Sequence, residues 1–161
     1  MGRTIGNDKS FHQTQVGKGT SILHLATHGV YNDLDPLRSA FILTESGKAR
    51  AVTAADLLMD PLPAQLVVLS ACETGLGKTL AGEDLQGLTR SFYLGGSLAV
   101  LSSLWPVEDQ GDRQFMNQFY LQFQNTKRFD QAGLAARNSL WNSGVSPSVY
   151  GAFVLSGSAG I

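Results

Sequence analysis

The sequence predicts an α/β fold in which a mostly parallel sheet carries helices on both faces. Three observations lead there. Residues 21–26 (SILHLA), 66–70 (LVVLS) and 97–104 (SLAVLSSL) are apolar runs without polar alternation, the pattern of strands covered on both sides. Helical patterns separate the later runs, and strands alternating with helices give parallel pairs joined by right-handed crossovers. The chain has 161 residues, 43 % hydrophobic and 16 % charged, enough for one domain with a substantial core.

In chain order, residues 1–20 form a polar lead-in without clear period, with a weak helical pattern at residues 9–15. The first apolar run ends in Thr27, His28 and Gly29, so His28 falls at the C-terminal end of a strand. Asn32, Asp33, Asp35 and Pro36 mark a surface loop. A small strand at 40–43 and a turn at Ser46 and Gly47 follow. Thr53 is placed to cap a short helix with Asp56 at its third position, and Pro61 and Pro63 close it.

The second buried run is followed by CETGLGKTLAGED, which contains Cys72, the single cysteine. Residues 84–94 repeat apolar positions at helical spacing up to Gly95 and Gly96. After the third run come two further helical patterns, 110–124 and 129–141. In the first, Phe115, Phe119 and Phe123 recur every four residues, which marks a core-facing stripe. Residues 150–155 (YGAFVL) read as a last strand, and residues 158–161 are a tail.

Several function classes are excluded at this level. With 12 basic and 13 acidic side chains, a formal net charge of −1 and no dense Lys/Arg block, nothing attracts nucleic acid or an anionic membrane. No apolar run approaches the roughly eighteen residues of a membrane span. One cysteine forms no internal disulfide, and the N-terminus lacks an apolar signal segment, so a reducing cytoplasm is the expected compartment.

Sites in open parallel sheets form at the C-terminal ends of the strands, where both His28 and Cys72 fall. Two readings of the glycine-rich segment compete. A phosphate-binding loop needs Gly-x-x-x-x-Gly-Lys-Ser/Thr; Gly77, Lys78 and Thr79 match its end, but Cys72 occupies the place of the first glycine. A nucleophile turn instead needs an accessible thiol, a base within reach and donors for an oxyanion. An ordinary thiol is only a few per cent thiolate at neutral pH, and an imidazole partner stabilises the thiolate as an ion pair. His28 is that partner in this reading, with the backbone N–H groups of Gly29 and Cys72 as oxyanion donors. His24 lies inside its strand and reads as a hydrogen-bonded core residue, and His12 as a solvated one.

Five blocks in order, HLATHG (from His24), LSACETGLG (from Leu69), GEDLQGLTRSF (from Gly82), SLWPVED (from Ser103) and YGAFVLSG (from Tyr150), resemble the CHAT domain. That family is a bacterial branch of the caspase and separase clan of cysteine peptidases, often C-terminal to tetratricopeptide repeats. The likeness covers residues 21–157. It implies a caspase-like three-layer α/β/α fold and a hydrolase, with His28 as general base and Cys72 as nucleophile of proteolysis. It also implies Gly29 and Cys72 as the oxyanion hole, no metal or organic cofactor, and a protein or peptide substrate. Asp33 and Asp35 are candidates for orienting the histidine, and Glu73 for contacting substrate; each also reads as an ordinary solvated loop residue.

Asp84 stands where the family usually has glycine. The family's fold begins with strand and helix units before the histidine strand, and only about twenty polar residues precede it here. A missing or open sheet edge is therefore expected, as in a truncated product or a domain completed by a tetratricopeptide-repeat protein or another chain. The alternatives to a peptidase are a catalytically silent scaffold of the same fold and a nucleotide-binding domain using Gly77, Lys78 and Thr79.

Overall fold

The continuous apolar runs become the three central strands of one sheet. The structure, a computed structural model, describes residues 11–15, 21–27, 29–30, 32, 34–45, 48–70 and 85–158. Along the chain these form β1 (Phe11–Gln15), β2 (Ser21–Leu25), the two-residue β3 (Gly29–Val30), a 3-10 turn (Pro36–Arg38), β4 (Ala40–Glu45), β5 (Lys48–Thr53) and α1 (Ala54–Met59). Then come β6 (Leu66–Leu69), α2 (Leu85–Leu94), β7 (Ala99–Ser103), α3 (Asp109–Thr126), α4 (Phe129–Asn142), α5 (Pro147–Tyr150) and β8 (Phe153–Gly157).

The main sheet has the order β1-β2-β6-β7-β8. Its centre, β2-β6-β7, is parallel, and β1 and β8 close the two sides antiparallel. A second, antiparallel sheet has the order β3-β4-β5.

Successive residues of a strand face opposite sides, and the central strands divide their apolar side chains accordingly. Ile22, Leu66, Val68, Ala99 and Leu101 pack with Phe115, Phe119, Phe123 and Phe129 of α3 and α4 and with Phe153 of β8. Leu23, Leu25, Val67, Leu69 and Val100 pack on the other side with Phe41, Leu57, Leu88 and Phe92. Two cores separated by one sheet make the expected α/β/α sandwich. All four residues of β6 are buried, which is why the run shows no alternation.

Local chemistry explains the ends of the helices. The Thr53 hydroxyl accepts the Asp56 N–H at 3.0 Å while the Asp56 carboxylate accepts the Thr53 N–H at 2.8 Å, a reciprocal cap that starts α1. The Thr53 N–H and the Thr53 hydroxyl, which donates to the same carboxylate at 2.7 Å, hold the Asp56 carboxyl below its ordinary range. α2 is closed by Gly95 and by Gly96, whose φ of 93° favours glycine.

Three segments differ from expectation. Residues 11–15 are not helical: β1 pairs with β2 from Phe11↔Leu25 to Gln15↔Ser21, so β2 is not an open edge. A ladder of backbone bonds outweighs a weak helical pattern, because an unpaired strand leaves its polar groups unmatched. β5 had no strand signal, since residues 48–51 are exposed; it forms by pairing along the whole of β4, from Ala40↔Thr53 to Glu45↔Lys48. The final strand starts at Phe153 instead of Tyr150, because Ser146 caps a helical turn that has Pro147 in its first turn.

Candidate active site

The parallel pair β2 and β6 sets the frame of the site. Leu25 is registered with Leu69, and the Ser70 N–H donates to the Leu25 carbonyl at 3.1 Å, so the pairing continues one residue past β6. In sequence, His28 follows Leu25 by three positions (28 − 25) and Cys72 follows Leu69 by three (72 − 69). The two residues thus come equally far after one registered pair. His28, Cys72, Asp33, Glu73 and the Gly77-Lys78-Thr79 stretch lie outside the described residues.

Both neighbours of position 28 are held by the smaller sheet. The Thr27 hydroxyl donates to the Ile42 carbonyl. Gly29 is buried in β3 and registered with Phe41 of β4. The chain leaving β2 is therefore fixed to β4 within two residues of the strand end.

Asp35 works within its own loop. Its carboxylate accepts the Leu37 N–H at 3.2 Å, capping the 3-10 turn, and pairs with Arg38 Nε at 3.1 Å. Asn32 organises the same loop by accepting the N–H groups of Leu34 and Asp35 at 3.1 and 2.8 Å.

On the α3 side the strand ends meet a polar rim that sequence reasoning missed. The Ser70 hydroxyl donates to Asp112 Oδ1 at 2.6 Å. The Tyr120 hydroxyl and His24 Nδ1 are 2.8 Å apart, so His24 has the hydrogen-bonded role expected of it. A cavity of about 340 Å³ opens here, lined by His24, Ala26, Asp109, Asp112, Arg113, Met116, Asn117 and Tyr120.

Burial pushes the Asp112 carboxyl above its ordinary range; the Ser70 hydrogen bond opposes this, and nearby Asp109 adds to it. Burial, then the charge of Asp112, raises the Tyr120 hydroxyl as well. A sequence signal for Asp112 did exist. It precedes Phe115 by three and Met116 by four, so it extends the buried stripe of α3 and places a carboxylate where the pattern calls for an apolar residue.

Among the described residues no three His, Cys, Asp or Glu side chains are grouped to hold a metal ion. No described helix is long and apolar enough to cross a membrane.

An α/β/α sandwich whose sheet has a parallel centre is the architecture expected of a caspase-like protein. The CHAT domain model matches residues 3–158, and the chain belongs to that family. Tetratricopeptide repeat protein 28 of Mus musculus is 37% identical over 89 residues, covering 55% of this chain and 3% of that protein. Tetratricopeptide repeat protein 28 of Homo sapiens is 35% identical over 109 residues, covering 66% of this chain and 4% of that protein. The chain therefore spans a small fraction of these curated relatives, which come from animals.

Proposed function

We propose that this domain is a cysteine-type endopeptidase that hydrolyses peptide bonds in protein substrates with Cys72 and His28. The observation that carries the reading is the register of β2 with β6, from which both residues follow at the same offset. Neighbouring strands are roughly 5 Å apart, a separation that side chains of these lengths bridge.

In this mechanism the Cys72 thiolate, paired with protonated His28, attacks the scissile carbonyl carbon and forms a C–S bond. The N–H groups of Gly29 and Cys72 hold the oxyanion. As the C–N bond breaks, His28 gives its proton to the departing amine. Water, losing a proton to His28, then attacks the thioester, and the acid product leaves with the thiolate restored. No step needs a metal or an organic cofactor. Glu73 borders the nucleophile in sequence and is proposed to face substrate, while Asp33 is the loop carboxylate proposed to orient His28. Asp35, already engaged with Leu37 and Arg38, is the weaker candidate for that task. A reducing cytoplasm suits the chemistry, because it keeps the thiol free.

Cys72→Ala is expected to abolish cleavage of an unfolded protein substrate while leaving the thermal transition unchanged. Cleavage that persists in this variant contradicts the assignment.

A second reading, a catalytically silent interaction module, is favoured by the curated relatives, which are named for tetratricopeptide repeats and of which the matched segment is only 3% to 4%. Under it a repeat protein is the partner, and Cys72→Ala leaves both that binding and the absence of cleavage unchanged.

A further inference from the structure

We propose that Asp112 is a positioning residue for the nucleophile turn, holding the end of β6 through its hydrogen bond to Ser70. This rests on the reading of Cys72 and His28 given above. Ser70 is buried and lies two positions before Cys72. Two residues of chain span at most about 7 Å, so a displacement at Ser70 reaches the nucleophile.

Ser70 is tied in two directions. Its N–H donates to the Leu25 carbonyl at 3.1 Å, which joins it to the strand leading to His28. Its hydroxyl donates to Asp112 Oδ1 at 2.6 Å, which joins it to α3. Oxygen–oxygen distances this short belong to the stronger class of hydrogen bond, with a charged acceptor.

The far end of the tie is itself fixed. The Asp112 N–H donates to the Glu108 carbonyl at 3.0 Å. One turn on, Phe115 and Met116 are buried against the sheet, followed by Phe119 and Phe123. α3 is thus anchored along its length, and Asp112 carries that anchorage to the rim. Among the described residues the polar groups around it are Asp109, Arg113 and Asn117 of its own helix, Tyr120 two turns on, His24 of β2 and Ser70 after β6. Ser70 is its side-chain hydrogen-bond donor among them.

The cost of losing the tie follows from the geometry of attack. A misplacement of about 1 Å at a reacting group lowers a rate by as much as about a hundredfold. In this proposal Asp112 acts through Ser70, its side-chain partner among the described residues.

Four variants of the full chain test this: Asp112→Ala, Asp112→Asn, Ser70→Ala and the double Ser70→Ala/Asp112→Ala. Two readouts are taken, the rate of Cys72 alkylation by iodoacetamide below the ordinary thiol pKa of about 8.5 and amide hydrogen exchange at Ser70. Ser70→Ala and Asp112→Ala are each expected to slow alkylation about tenfold, and the double variant no further, because both remove one shared link. Asp112→Asn keeps a carbonyl oxygen as acceptor and is expected to stay within about threefold of the parent. Exchange at Ser70 is expected to quicken about tenfold in Asp112→Ala relative to the slowest core amides.

Unchanged alkylation and exchange in Asp112→Ala overturn the proposal. So does an Asp112→Asn variant as impaired as Asp112→Ala, or a double variant whose loss is the sum of the two. If Asp112→Ala fails to fold, Ser70→Ala against Asp112→Asn makes the same comparison. A parent protein whose Cys72 reacts as an ordinary thiol removes the peptidase reading, and Ser70 exchange then decides by itself whether the tie exists.

Discussion

The two faces of the central sheet are covered by different means. On one side lie α3 and α4, helices of 18 and 14 residues, and a cluster of phenylalanines. Phe115 stacks on Phe153 with ring centroids 3.9 Å apart, and Phe123 on Phe129 at 5.0 Å. On the other side α1 has 6 residues and α2 has 10, and the small sheet adds Phe41, Leu43 and Val52 to the core. There, local devices recur: the Thr53 and Asp56 cap, the Ala54 N–H on the Ser39 carbonyl at 2.8 Å, and the Ala64 N–H on the Ser97 hydroxyl at 3.2 Å.

One face is thus held chiefly by apolar area, and the other adds specific short contacts to its smaller core. The described residues next to positions 28 and 72 draw on both systems. Thr27 and Gly29, flanking position 28, belong to the second face through Ile42 and Phe41. Ser70, leading to position 72, is tied to the first through Asp112.

The largest expected effect is on the aromatic face. Phe119 is fully buried, and Phe119→Ala is expected to cost about 3–5 kcal/mol in a denaturant titration, from lost burial and the cavity left behind. A loss under about 1 kcal/mol would mean that this face is not held by packing.

Gly87 sharpens the contrast. An added Cβ there would lie 2.5 Å from the Pro36 carbonyl oxygen, so the helix α2 and the 3-10 turn approach too closely for any side chain. Glycine to alanine inside a helix ordinarily stabilises by about 1 kcal/mol. Here Gly87→Ala is expected to destabilise by about 1–3 kcal/mol, and a gain in stability would break the picture of close contact. Thr53→Ala, which removes the cap of α1, is expected to cost about 1 kcal/mol, with Asp56→Asn close behind.

The smallest effect concerns Asp112 and depends on pH. Its folded carboxyl titrates above the ordinary value of 3.8, because burial favours the neutral form. The stability linked to that form is present below the ordinary value and is lost as pH rises through the raised one. Asp112→Asn is therefore expected to gain stability over the parent as pH rises from about 4 towards neutrality. A difference that stays constant across that range would contradict the assigned burial.

How much of this was legible in the sequence depends on where the partners lie. The three parallel strands show in their own residues, since burial on both sides removes alternation from the string. The cap of α1 and the stripe of α3 are equally local, with partners three or four positions apart. β1 and β5 were not legible, because what makes them strands is a ladder to β2 and β4 and not their own composition. The site divides in the same way. His28 and Cys72 stand out as residues ending apolar runs, and Ser70 with its partner Asp112, 42 positions away, does not.

The most direct test of the proposed dyad is the pH dependence of Cys72 alkylation by a small neutral reagent, in the parent protein and in His28→Ala. Reactivity that persists well below the ordinary thiol pKa of about 8.5 and disappears with His28 is the expected result, since only a thiolate–imidazolium pair produces it. A rate that follows an ordinary thiol in both proteins would contradict the pairing of these two residues across β2 and β6.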